Sequence, residues 1–189
     1  MVEVEFEGVW VRVARDGLGL RLAEPAAEVF RDPLHVVVLG ELHRRRALPI
    51  WMGRPDAYAL LRHHRGMSDG RPVAASVMAA LLNAGGASVD HVAINRFQAN
   101  VYSAAIHVAV EGGAAAVEAR ASDALNLAVR VGAPMLVAEE VMSEMAFPRD
   151  ELPERLEALQ GTGLDTPLPP GDWRPLSTEL ISELRKATA

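Results

Sequence analysis

Arg120, Ser122, Asp123, Asn126 and Arg130 lie within eleven residues of one another, in the stretch EARASDALNLAVRVGAP that runs from Glu118 to Pro134. A guanidinium, a hydroxyl and a carboxylate at the entry of a helix suit phosphate chemistry. The arginine neutralises phosphate, helix N–H groups donate to an anionic oxygen, and the carboxylate holds a cation or orients water. Ser122 is read as the N-cap, its hydroxyl accepting from a backbone N–H one turn on. Asp123 suits the positive end of the helix dipole. Gly132 and Pro134 write the stop. Ala124, Leu125, Ala128 and Val129 form an inward stripe, and Asp123, Asn126 and Arg130, three and four apart, share an outer face. The same pattern also describes a well-capped helix with a solvated polar face, so spacing alone leaves both readings open.

The elements around this stretch follow from periodicity. Val2 to Val13 alternates as a strand whose phase shifts at Glu7-Gly8, which predicts a bulge. Leu18 to Leu22 is a second short strand, and Glu24 to Pro33 reads as a loop. His35 to Leu39 and Ala47 to Met52 pair as a hairpin. Helices are expected over Arg54 to Arg65 and Val73 to Asn83, then alternating strands over Ser88 to Phe97 and Val101 to Val110. Ala115 to Ala119 is the strand that feeds the motif. Met135 to Ala138 is a last core strand and Glu139 to Met145 a short helix. Strands and helices mixed without strict alternation predict an α+β fold with a mixed or antiparallel sheet. The texture changes at Phe147, giving one domain over residues 1–146 and an acidic, Pro-rich helical extension over 147–189, with helical patterns at Glu151 to Leu159 and Ser177 to Lys186.

The chain has 189 residues, 50% of them hydrophobic, enough for a sizeable core without staples. It has no cysteine, which points to a reducing cytoplasm. The stretch MVEVEFEGVW has neither the basic region nor the apolar run expected of a signal peptide, and no window approaches the apolar length expected of a membrane helix. The net charge of −6 is unfavourable for a nucleic-acid binder if spread evenly, yet residues 43–71 carry seven arginines against two aspartates. That run is either a basic face or ordinary solvated surface. His63 and His64 are adjacent on a helix and point about 100° apart, so with His43 they make a poor metal site. Asp123, Glu118, Glu139 and Asp56 are the better ligands for a hard divalent cation. Trp51 and Tyr102 lie in strands and serve either the core or stacking.

Two ordered blocks resemble the bifunctional nuclease family. Arg120-Ala121-Ser122-Asp123-Ala124-Leu125, with Ala128, Arg130, Gly132-Ala133-Pro134 and Glu139-Glu140-Val141, is similar to its Arg-Pro-Ser-Asp-Ala block. Leu48-Pro49-Ile50-Trp51-Met52-Gly53 with Asp56-Ala57 is similar to its Leu-Pro-Ile-Trp-Ile-Gly block. The resemblance spans Val2 to Met142, with an insertion-like stretch near Gly17 to Pro33. It implies metal-assisted hydrolysis of DNA and RNA with Mg or Mn. Arg120, Ser122 and Asp123 would be catalytic, Asp123 and Glu118 would hold the metal, and Arg130, Asn126, Arg71 and Trp51 would contact substrate. The chain departs from the family where the pattern Arg-Pro-Leu-Thr-His-Asp is replaced by Arg71-Pro72-Val73-Ala74-Ala75-Ser76, removing an acid/base or metal-holding pair. Ala121 stands in place of the motif proline, and Asn126 in place of a small apolar residue. Weak nuclease activity or none is therefore expected. The alternatives are a non-catalytic oligomeric binding or regulatory module, and a family member repurposed for a small-molecule biosynthetic reaction. A homo-oligomer, a dimer first of all, is expected because hairpin strands leave apolar edges to cover.

Overall fold

The N-terminal alternation becomes β1 (Val2–Asp16), the strand on which the sheet is hung. In the computed structural model, residues 1–16, 19–22, 35–42, 45–68, 70–159 and 171–187 are described. The predicted loop at Glu24 to Pro33 lies outside them, as does most of the insertion-like stretch. One edge of β1 pairs with β3 (His35–Glu41) and then β2 (Gly19–Leu22). The other edge pairs with β8 (Met135–Val137) and then β10 (Asp172–Pro175). The bulge falls where the phase shift predicts it, the register slipping between Phe6 and Gly8. That slip lets Val4 and Phe6 share a face with Val9, Val11 and Val13.

β3 and β4 (Arg46–Met52) form the expected hairpin, and β4 takes a short edge partner in β9 (Phe147–Pro148). On the far side come β5 (Ser88–Gln98), β6 (Val101–Val110) and β7 (Gly113–Arg120), in the order β7-β6-β5-β8-β1-β3-β4-β9. The β5–β6 turn is made by Ala99 and Asn100, both at positive φ (50° and 61°), as a two-residue hairpin with right-handed strand twist requires. All pairings are antiparallel except β5 with β8, which gives the mixed sheet of an α+β fold. The Tyr102 hydroxyl on β6 donates to the Pro49 carbonyl on β4 at 3.0 Å. Strands that far apart in the order meet only because the sheet curls round its core.

Inside the curl lie α1 (Arg54–His64), α3 (Ala121–Val131) and α4 (Glu139–Met145), with α2 (Ala74–Ala84) flanking α3. Leu60, Leu125, Leu127 and Met142 are fully buried there beside Ile50 and Ile94. The opposite face of β3 and β4 is also covered. Val36, Val38 and Ala47 pack with Leu152 and Leu156 of α5 (Leu152–Leu159) and with Trp173 of β10. Burial on both faces explains why β3 reads as an unbroken apolar run. A 3₁₀ turn (Arg149–Glu151) leads into α5, and α6 (Thr178–Ala187) sends Leu180 into the main core. No helix among the described residues is long and apolar enough to cross a membrane.

The start of α3 differs from expectation. Its N-cap is Arg120, extended at φ −67° and ψ 148°, and no side chain caps the first turn. Ser122 sits inside the helix and is buried, because β7 runs straight into α3 with no turn residue between them. The stop is as predicted: Gly132 is left-handed at φ 71°, and the Ala133 N–H donates to the Ala128 carbonyl.

Candidate functional site

β7 delivers Arg120 to the mouth of α3, and the first turn of α3 places Asp123 three residues on, directly beside it. The Arg120 guanidinium forks the Asp123 carboxylate, Nε to Oδ2 at 2.7 Å and Nη2 to Oδ1 at 2.8 Å. Asp56 in the first turn of α1 approaches the same guanidinium, with Oδ2 4.0 Å from Nη2. Hydrogen bonding to Asp123 comes first, ahead of the charges of Asp123 and Asp56, in raising the Arg120 pKa above its usual value. One arginine thus lies between two carboxylates at a helix N-terminus, with its side chain 70% exposed.

Asn126 is not on an outer face. It is 6% exposed, because α1 packs over it. Its Nδ2 donates to the Ser122 carbonyl at 2.9 Å and the Asp56 carbonyl at 3.1 Å, while Oδ1 is buried without a partner. Both bonded acceptors are carbonyls, which fixes the orientation of the amide. α3 is therefore buried over a wider arc than the sequence stripe suggested, with Ser122, Asn126 and Leu127 inside as well as the apolar positions.

Arg130 remains exposed and donates from Nε to the Ser76 hydroxyl of α2 at 3.2 Å. Ser76 is a position where the family pattern has a carboxylate, and the adjoining Ala75 is buried. Arg71 is exposed in the approach to α2. Glu118 is exposed on β7 opposite Ala105, with no bond to Asp123. Trp51 packs against the second core, across the sheet from α3. The structure brings together Arg120, Asp123, Asp56, Ser122 and Asn126, joins Arg130 to Ser76, and leaves Trp51 and Glu118 apart from them.

No three His, Asp or Glu side chains among the described residues come together to hold a metal ion, and both Asp123 oxygens are engaged by Arg120. Glu139 is likewise committed, bonding Arg46 at 3.1 Å while Glu41 takes two bonds from the same guanidinium at 2.8 Å. Three arginines of the basic run are drawn into structural contacts. Beside Arg46, Arg62 donates to the Ser68 carbonyl and Arg65 to the Leu176 carbonyl, while His43 and Arg44 lie outside the described residues. His64 packs edge-on to Phe6.

Sequence reading missed the His91–His107 pair on β5 and β6, stacked at 4.1 Å with His91 Nδ1 2.7 Å from Asp90 Oδ2. A register shift near Asn95 separates this pair from the hairpin turn, so counting back from the turn does not find it.

The bifunctional nuclease domain matches residues 37–150, and the chain belongs to that family. Uncharacterized proteins of two Mycobacterium tuberculosis strains, CDC 1551 / Oshkosh and H37Rv, are each 30% identical to it over 127 residues. The match covers 67% of this chain and 72% of theirs.

Proposed function

We propose that this chain is a nuclease-family protein that engages DNA or RNA phosphates at the entry of α3 and hydrolyses them weakly or not at all. The carrying observation is the closed fork of Arg120 on Asp123, with no group of three metal-ligating side chains among the described residues. Hydrolysis of a phosphodiester gains from a group that stabilises charge only as the transition state forms. Here both oxygens of the Asp123 carboxylate are already spent on Arg120. Ala75 and Ser76 supply no acid or base. Phosphate recognition needs less. Arg120 is exposed, and no side chain caps the first turn of α3, which leaves N–H groups of that turn to donate to a phosphate oxygen.

The non-catalytic module is the second reading, favoured by the bond from Arg130 to Ser76, which turns a family acid position into a structural contact. The dimer expected from the sequence belongs to either reading. Incubation of plasmid and of RNA with the protein, with and without Mg or Mn, tests the proposal beside an Asp123→Ala control. Losing a positioned acid/base typically forfeits about 10²–10⁴ in rate, so cleavage should be slow or undetectable. Binding to a labelled oligonucleotide should weaken in Arg120→Ala and with added salt. Cleavage at full strength that Asp123→Ala leaves unchanged would place the chemistry elsewhere.

A further inference from the structure

Val89 and Val92 of β5 both pack against the main core, although they are three residues apart. That spacing is possible because the register slips between Val89 and His91, so that Asp90 and His91 together oppose His107 of β6. The bulge turns Asp90 and His91 outward together, onto the face of the sheet away from the core. There Asp90 Oδ2 lies 2.7 Å from His91 Nδ1, and the His91 and His107 rings stack at 4.1 Å and 12°. A carboxylate only accepts, so His91 Nδ1 carries the proton and donates, and Nε2 is left with its lone pair outward. Histidines that bind metal are oriented in this way, one nitrogen donating to a carboxylate while the other takes the ion. The neighbours are small. Ala93 and Ala105 pair beside the two rings, and Ala116 of β7 faces His107.

We propose that His91 and His107 chelate a first-row transition ion, zinc or copper(II), through one nitrogen each, with Asp90 holding His91 from behind and water completing the coordination. Two nitrogens at about 2.0–2.1 Å from one ion stand about 3 Å apart, so a tilt of the stacked rings seats it. Imidazole suits these ions, whereas magnesium and manganese prefer oxygen. Two protein ligands make the site open and exchangeable, tighter for copper than for zinc. Ala116 is four residues before Arg120 on β7, about 13 Å along the strand, so the ion sits apart from the entry of α3. The inference therefore holds whether or not phosphates bind there.

Copper(II) added to the full chain after EDTA treatment should give an electron paramagnetic resonance spectrum with coupling to two nitrogens, and zinc should raise the melting temperature. By calorimetry, Asp90→Ala should weaken zinc binding by about 10–100-fold, the ordinary worth of a carboxylate behind a ligating histidine. Asp90→Asn, which still accepts from Nδ1, should recover part of that loss. His91→Ala and His107→Ala should each cost at least as much as Asp90→Ala, and His64→Ala should leave binding unchanged. These side chains lie outside the core, so the metal-free variants should melt with the wild type. Where one does not, the two-nitrogen coupling of the wild type decides by itself. Zinc affinity unchanged by His107→Ala overturns the proposal. So does coupling to a single nitrogen, or no binding at about 1 mM ion.

Discussion

Tyr102 shows how one side chain can carry a fold-wide constraint. Its ring is buried and its hydroxyl bridges β6 to β4 through the Pro49 carbonyl. Burial first, and the negative charge of Glu144 second, raise its pKa well above the ordinary phenol value. The unfolded chain therefore loses this proton before the folded chain does. Stability from Tyr102 is intact below about pH 10 and falls as pH rises beyond it. Urea titrations between about pH 9 and pH 11 should show the wild type losing stability more steeply than Tyr102→Phe. At neutral pH the same variant should lose about 1 kcal/mol, the worth of the hydrogen bond. Equal slopes would show that the phenol ionises freely in the folded chain. The Arg120–Asp123 fork contributes less to stability than to site geometry, because an exposed ion pair is worth at most about 1 kcal/mol.

Between elements, Asn126 is the clasp that ties α3 to the start of α1, and it holds a buried Oδ1 with no donor. Asn126→Ala removes two hydrogen bonds worth about 1 kcal/mol each, and it also removes an unsatisfied acceptor that costs a similar amount. Chemical denaturation should then report a change within about 1 kcal/mol. A loss of about 3 kcal/mol or more would mean that Oδ1 finds a donor in solution. Asn126 also marks the limit of what the sequence could tell. The β3–β4 hairpin, the bulge at Gly8 and the Gly132 stop were legible because each is written in residues adjacent along the chain. The burial of Asn126 was not, because it depends on α1 crossing α3 from sixty-odd positions away. The arginine cap was hidden for a related reason, since Ser122 and Arg120 are both acceptable starts until β7 is seen to run directly into the helix. The Arg–Asp part of the site could be read as a set of residues, but its closed pairing could not.

At the scale of the molecule, the family match over residues 37–150 leaves out the strand at the middle of the sheet and everything after the 3₁₀ turn. β1 is bracketed by β3 and β2 on one edge and β8 and β10 on the other, so the tail pairs with the same strand as the family core. Composition drew a change of texture at Phe147, and β9 and β10 escaped notice because strands of two and four residues carry no periodicity. Their packing is nevertheless deep. Leu176 and Leu180 belong to the main core, and Leu152, Leu156 and Trp173 build the second, where Arg12, 5% exposed, meets Glu157 of α5 at 2.6 Å. Burying a large apolar side chain is worth about 1.5–3 kcal/mol, so these five together rival the roughly 5–15 kcal/mol by which a domain is stable. A chain ending at Ala146 should therefore lack a cooperative thermal transition, and Leu180→Ala in the full chain should cost about 2–5 kcal/mol. Trp10, Trp51 and Trp173 all lie at the second core, so tryptophan emission reports on that face and should shift to the red when the tail is removed. A truncated chain that melts cooperatively within a few degrees of the full one would show that the family core stands without its tail.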